Sequence, residues 1–447
     1  MNKIVNRPLK KPGSAAFLLL MLWLAWLPAA RSASLDIQRF DTANGARVFF
    51  VQAMELPIVD IQVTFDAGSA RDGVRPGLAH LTNRMLSRGA GDLDADAIAE
   101  GFDRLGAQFG AEAQRDMAVV SLRSLSQAEF LDKAVDLAAT VLRAPTFPQE
   151  QLDGERNRVL IELDAQEQSP ADVATREFFR AVYANHPYAV NPLGTPDSVR
   201  AVTRMDAVDF HQRYYVARNA TVAIVGALTR ADATRVAERL IGGLTPGEPA
   251  PALPPVTPLA HAQSVNIAYP SSQTHILVGQ PGMSRLDPDY FPLYVGNHIL
   301  GGGGLVSRLS EVIRERRGLA YSTYSYFMPM RQEGPFMLGL QTRTGEADAA
   351  LKLLLETLNI FVQAGPTAKE LAASKRNITG GFPLRIASNR NIVQNLAVIG
   401  FYGLPLDYLD TYSGKVEAVT LAEIRDAFSR RIHPDDLVTV TVGQSAK

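Results

Sequence analysis

The chain has 447 residues, 46% hydrophobic and 20% charged, with a formal net charge of −1. That length holds one large domain or two to three average ones, with ample apolar material for a core. The near-zero charge gives no electrostatic reason to expect nucleic acid or an anionic membrane as partner, and the lack of cysteine excludes disulfides, thiolate metal sites and a lipidated N-terminal cysteine.

Lys3, Arg7, Lys10 and Lys11 precede an apolar run from Ala15 to Leu27, and the small residues Ala29, Ala30, Ser32, Ala33 and Ser34 follow. This order reads as a secretory signal peptide over residues 1–33, with cleavage around residues 30–34. Export to a bacterial periplasm is the expected location. An uncleaved anchor is the competing reading. The apolar run is short of the ~20 residues a spanning helix needs, so no stable membrane insertion is expected after cleavage.

In the mature chain, Leu35–Phe40 and Arg47–Val51 flank Asn44-Gly45, a favoured hairpin dipeptide. Val59, Ile61, Val63 and Phe65 alternate with polar residues, as in a half-buried strand. Gly77–Leu86 reads as an amphipathic helix that buries Leu78, Leu81, Met85 and Leu86. His80 and Arg84 are one turn apart on a shared face, with Asn83 beside them. A second helix is expected over Asp94–Leu105. Two strands follow, Gly106–Ala113 and Met117–Leu122, the first poor in large apolar residues, as an edge strand is. Helices dominate from Gln127 to Ala181, and in one of them Glu155 and Glu162 lie two turns apart on one face. Asn191–Pro196 is a loop, Arg204–Tyr215 a helix, Ala220–Gly226 a strand and Ala231–Ile241 a helix. Between Pro246 and Pro258 stand six prolines with no apolar periodicity, a stiff linker and the best domain boundary.

Beyond the linker, His275–Gly279 reads as a strand and Phe291–Leu300 as a helix. Gly301–Gly304 is no phosphate loop, because no Lys-Ser/Thr follows it; flexible backbone ahead of a Ser307–Arg316 helix is expected instead. On its residues alone, that helix is capped at Gly318 and followed by a strand with a buried Tyr321. Val199–Gly226 and Val416–Gly443 align without a gap. They share Val199/Val416, Ala201/Ala418, Val202/Val419, Thr203/Thr420, Asp209/Asp426, Arg213/Arg430, Val225/Val442 and Gly226/Gly443. A repeat this long means two similarly folded domains in tandem, 34–245 and 263–447, joined by a linker at 246–262. The fold class is α+β, each domain a mostly antiparallel sheet with helices packed on one face.

The segment Gly77-Leu78-Ala79-His80-Leu81-Thr82-Asn83-Arg84-Met85-Leu86 resembles the inverted zinc motif H-x-x-E-H. The flanks are similar to those of the insulinase/pitrilysin peptidases and their mitochondrial processing peptidase branch. There, two histidines hold zinc and the glutamate activates its water. Here only the first histidine, His80, remains. Asn83 stands at the base position and Arg84 at the second-ligand position, and neither an amide nor a guanidinium can do those jobs. Glu155-Arg156 through Glu162 resembles the family's E-R-x-x-x-x-x-E helix, whose last glutamate is the third ligand. Gly106–Ala111 resembles its G-A-x-x-x-A strand, which pairs with extended substrate through backbone groups. Phe109, Gly110, Ala111, Glu112 and Ala113 are therefore the expected peptide-binding residues. Arg314 through Tyr321 resembles R-E-x-x-G-L-A-Y. Its tyrosine donates to a developing oxyanion across the chamber, and its arginine binds a substrate carbonyl.

The resemblance implies a non-catalytic subunit of a heteromeric, secreted zinc metallopeptidase. This chain would hold no cofactor. Zinc would sit in a homologous partner with an intact H-x-x-E-H, the substrate would be a peptide, and Arg314 and Tyr321 would act in trans. His80, Asn83, Arg84, Glu155 and Glu162 would form a vestigial metal site that binds no metal. Two other readings stand beside it: a structural core or scaffold subunit with no part in catalysis, and an autonomous hydrolase with an atypical metal site. The seven histidines, at 80, 186, 211, 261, 275, 298 and 433, include no helical pair at zinc spacing.

Overall fold

The computed structural model describes residues 35–443, so the expected signal peptide lies outside the described residues. In the first half, β1 (Gln38–Asp41), β2 (Arg47–Gln52), β3 (Ile58–Phe65), β6 (Gln108–Ala113), β7 (Ala118–Leu125) and β8 (Ala220–Gly226) form one sheet, while β4 (Gly89–Ala90) and β5 (Leu93–Asp94) make a separate small ladder. The sheet order is β1-β2-β8-β3-β7-β6, antiparallel except between β2 and β8. The second half forms another sheet from β9 (Gln263–Ala268), β10 (Gln273–Met283), β11 (Ala320–Phe327), β12 (Gly334–Arg343) and β13 (Val438–Gly443). Its order is β11-β12-β10-β13-β9, and only β9 and β13 run parallel.

The helices of the first half are α1 (Leu78–Met85), α2 (Ala95–Arg104), α3 (Ala128–Arg143), α4 (Gln149–Glu167), α5 (Pro170–Tyr183), α6 (Pro196–Ala201), α7 (Arg204–Tyr214) and α8 (Arg230–Ile241). Those of the second are α9 (Tyr290–Asn297), α10 (Ala347–Ala364), α11 (Ala368–Gly381), α12 (Asn389–Tyr402), α13 (Tyr408–Ala418) and α14 (Leu421–Arg431). The two sheet orders superimpose: β8 matches β13, β3 matches β10, β7 matches β12, and the edge strands β6 and β11 correspond. The repeat read from the sequence is the α7–β8 and α14–β13 pair. Thr203 and Thr420 cap the two helices, and Asp206 and Glu423 complete a capping box in each.

Strand alternation then builds the cores. Val48, Phe50, Ile61, Val63, Val120 and Val222 face the helices of the first half, in one buried cluster with Leu131, Val135 and Val236. Ile276, Val278, Phe336 and Leu338 face those of the second, with Leu354, Leu358 and Phe428. This is the expected helix-on-sheet arrangement. The structure adds an exchange that the sequence reading did not foresee. The opposite face of the first sheet is covered by α12, from the second half, and the opposite face of the second sheet by α5, from the first. Gly400 makes the first contact possible, since a Cβ there would overlap Thr221 and the Phe49 ring. On the other side, Phe178, Phe179 and Val182 of α5 cluster with Leu277, Val440 and Val442.

Five buried side chains of α5 (Val173, Phe178, Phe179, Val182 and Tyr183) hold it there. At about 1.5–3 kcal/mol each, they match the roughly 5–15 kcal/mol net stability of a whole domain. The halves therefore cannot part without unfolding something. The proline-rich segment contains no helix or strand, yet it is strapped down. Arg71 donates to the Pro251 carbonyl at 2.7 Å, Gln332 to Leu253 at 3.2 Å, and His186 Nε2 to Pro254 at 2.9 Å.

The glycine run differs from its expectation. α9 continues as a π-helical turn over His298–Gly302, and Gly301 packs so closely on β11 that a Cβ would overlap the Ser325 backbone nitrogen. Close approach explains that glycine. No helix among the described residues is long and apolar enough to cross a membrane.

Candidate functional site

Helix α1 starts at Gly77, whose φ of 91° suits glycine alone and whose Cβ would collide with the Leu193 carbonyl. The N–H groups of Gly77 and Ala79 donate to the buried Asp72 carboxyl, each at 2.7 Å. Burial pushes Asp72 up to about 7, and these two donors only partly offset it. Leu78, Leu81 and Met85 point into the core, so His80 and Arg84 turn toward a cleft.

Arg84 fills the centre of the site. Its Nε donates to Glu155 Oε2 at 2.9 Å and its Nη1 to Glu162 Oε1 at 2.6 Å, both on α4. Nη1 also lies 3.5 Å from His80 Nε2. Glu155 is 0% exposed and gathers two further cations, Arg88, with Nε at 2.6 Å, and Arg158. Four of the five residues expected from the sequence, His80, Arg84, Glu155 and Glu162, thus come together. Arg88 and Arg158 were missed. Their spacing was the available signal: Arg88 is one turn past Arg84, and Arg158 three residues past Glu155. Burial works against the Arg84 charge, but the hydrogen bond to Glu162 and the Glu155 carboxylate outweigh it and raise its pKa. Burial, then Arg84, lowers that of His80.

These residues do not fit a zinc ion. A guanidinium already stands between the two oxygen donors and the imidazole, and it repels the cation those donors would hold. Among the described residues, no group of three or more His, Asp or Glu is placed to hold a metal. Asn83, at the base position, is turned inward. Its Nδ2 donates to the Tyr215 hydroxyl at 3.2 Å, and its Oδ1 has no partner among the described residues.

Strand β6 is the free edge of the first sheet, as expected. Phe109 stacks on Phe102 with ring centroids 4.8 Å apart, which anchors the strand to α2. Phe109, Gly110, Ala111, Glu112 and Ala113 form one wall of a cleft of about 320 Å³; His80, Asn83, Arg84 and Arg88 form the other. The two residue sets read separately from the sequence therefore share one space.

Arg314 and Tyr321 lie elsewhere. The helix expected over Ser307–Arg316 is a π-helical segment, Ser310–Glu315, that carries Arg314; Gly318, φ 62°, follows it with its N–H on the Arg314 carbonyl, and Tyr321 stands beyond it on β11. The buried tyrosine expected from the residues alone is not found: Tyr321 is 86% exposed. The reason is a β-bulge. Ala320 pairs with Thr342 and Ser322 with Gln341, leaving Tyr321 as the extra residue on edge strand β11, aimed outward. The Arg314 guanidinium sits 5.1 Å from its ring centroid and 3.6 Å from Glu315. Neither residue contacts the His80 cluster by hydrogen bond, ion pair or ring contact.

Residues 47–196 match the family model described as Insulinase (Peptidase family M16), and residues 201–378 match the one described as Peptidase M16 inactive domain. The chain is similar to the "uncharacterized zinc protease YmxG" of Bacillus subtilis (strain 168), 25% identical over 92% of this chain and 98% of that one. It is also similar to the "non-peptidase homolog YmxG" of Helicobacter pylori, 26% identical over 96% of this chain and 99% of the other. A crystal structure described as a peptidase M16 inactive domain from Pseudomonas fluorescens superposes with a TM-score of 0.89. It is 40% identical and covers 92% of this chain and 98% of its own.

Proposed function

We propose, on the premise that the chain belongs to the insulinase (M16) peptidase family, that it is a non-catalytic subunit working beside a zinc-bearing homologue in the periplasm. The partner would carry an intact H-x-x-E-H. This chain would complete a shared chamber, bind extended peptide along β6, and supply Arg314 and Tyr321 in trans.

One contrast carries the reading. The position that would bind metal is filled by Arg84 and braced by buried Glu155, whereas the pair that would act on another subunit's substrate is intact, with Tyr321 projecting from edge strand β11 and Arg314 over its ring. A phenol held by a guanidinium over its face is a pre-positioned donor for an oxyanion, and the cation–π contact adds about 0.5–1 kcal/mol at an exposed site. No step requires both halves of such a centre to share one polypeptide.

The test is to purify this chain and the H-x-x-E-H homologue from the same source, then assay unstructured peptides with each alone and with the mixture. Activity confined to the mixture, with a complex seen by light scattering, is expected. A complex without gain of activity would favour the scaffold reading. Zinc-dependent cleavage by this chain alone would favour an autonomous hydrolase.

A further inference from the structure

Resting on the peptide-binding reading of β6, we propose that the cleft between β6 and α1 takes a carboxylate of the bound peptide onto Arg84 and Arg88. The free donors are the first observation. Arg84 spends Nε and Nη1 on Glu155 and Glu162, and its Nη2 makes no hydrogen bond among the described residues. Arg88 holds Nε 2.6 Å from Glu155 Oε1 as an ion pair, and both its Nη atoms are likewise without a hydrogen bond among the described residues. The two side chains are 25% and 35% exposed, so their outer edges meet solvent in the cleft while their inner edges are fixed. A planar fork already oriented by a buried carboxylate loses little freedom on binding a second one.

Charge supplies the second observation. Glu155 is shared by three guanidiniums, of Arg84, Arg88 and Arg158, and among the described residues only Glu162 adds a further carboxylate to that group. Glu112, the acid on the β6 wall, is engaged by Gln114 Nε2 at 3.0 Å. A chain paired on β6 turns every second side chain toward α1. An aspartate or glutamate in that register, or a C-terminal carboxylate ending there, reaches the guanidiniums.

The experiment uses the mature chain and labelled, Thr/Val-rich decapeptides, read by fluorescence anisotropy. One pair carries a central Glu or Gln, both amidated at the C-terminus. A second pair is neutral throughout and ends in a free acid or an amide. The expected result is that at least one carboxylate peptide binds about 5- to 20-fold more tightly than its neutral twin. Which pair shows it identifies the source of the carboxylate. The preference should shrink at high salt and shrink in Arg88→Gln, with the neutral peptides bound as before. Equal binding within both pairs overturns the proposal and leaves peptide binding on β6 intact. A preference undiminished in Arg88→Gln overturns the assignment to the two arginines together. No binding of any peptide overturns this proposal and the β6 reading together.

Discussion

The Tyr402 hydroxyl donates to Asp116 Oδ2 at 2.9 Å, joining residues 286 positions apart and in different halves of the chain. The same carboxylate accepts from Tyr188 at 2.6 Å and from the Arg331 backbone N–H at 2.7 Å. Asp116 is thus a buried knot at the place where α12 reaches across to the first sheet. Tyr402→Phe removes one donor and leaves the ring packing. A hydrogen bond to a charged group is worth about 1.5–3 kcal/mol, so the urea midpoint should fall by that equivalent. Amide exchange should speed up in α12 more than in α10, which lies within the second half's own core. Unchanged stability would mean the ring packing alone holds the helix.

Arg84 is the next test. Arg84→Met keeps the aliphatic stem and removes the charge. Breaking a lone buried pair costs about 3–5 kcal/mol, but Glu155 keeps Arg88 and Arg158, so about 2–3 kcal/mol is expected. Adding Glu155→Gln should recover part of the loss, with a coupling above about 1 kcal/mol by chemical denaturation. Strictly additive effects would show that Arg84 does not neutralise Glu155.

Acid lability should have an assignable part. His211 is buried, stacks on Tyr215 at 5.0 Å, and donates Nε2–H to the Leu142 carbonyl at 2.8 Å. Burial lowers its pKa, and the carbonyl offsets that only in part. A depressed folded pKa means the unfolded chain takes the proton first. The stabilisation is therefore full above about pH 6.5 and is lost as pH falls toward the folded value, at most about 1.4 kcal/mol per pH unit. Asp72, raised to about 7 by burial, has the opposite slope: its protonated form favours the fold, so stability declines as pH rises through that range. Comparing wild type with His211→Gln cancels the Asp72 contribution. Between roughly pH 7.5 and 5.5 acidification should therefore cost the wild type more stability, or gain it less, than the variant; identical changes would clear His211 of any role.

What the sequence made legible was local. The gapless match of Val199–Gly226 to Val416–Gly443, with Thr203/Thr420 and Gly226/Gly443 shared, gave the duplication, because a helix and the strand after it keep their own local signals. His80, Arg84, Glu155 and Glu162 were found because helical spacing places them. The helix exchange was not legible. An amphipathic helix such as α5 or α12 states that one face is buried, not which sheet buries it. Gly400, among apolar neighbours in α12, was the one hint of close approach. Tyr321 was misread on its residues alone because a bulge flips the side chain, and a bulge depends on the register with β12, which strand alternation does not encode.

Tyr321 is also where the functional reading is most exposed to failure. Tyr321→Phe keeps the ring under Arg314 and removes only the hydroxyl. Because Tyr321 is 86% exposed and Arg314 alone among the described residues packs on its ring, stability of this chain should change by less than about 0.5 kcal/mol. In the assembled enzyme, loss of one oxyanion donor should lower kcat on the order of 10²-fold, with complex formation unchanged. Arg314→Ala should instead act mainly on KM, through lost carbonyl contacts, and should also loosen the tyrosine it covers. The comparison belongs at saturating subunit concentration, where assembly cannot limit the rate. Full activity in the Tyr321→Phe, Arg314→Ala double variant would leave this chain an architectural role only, with no hand in the chemistry.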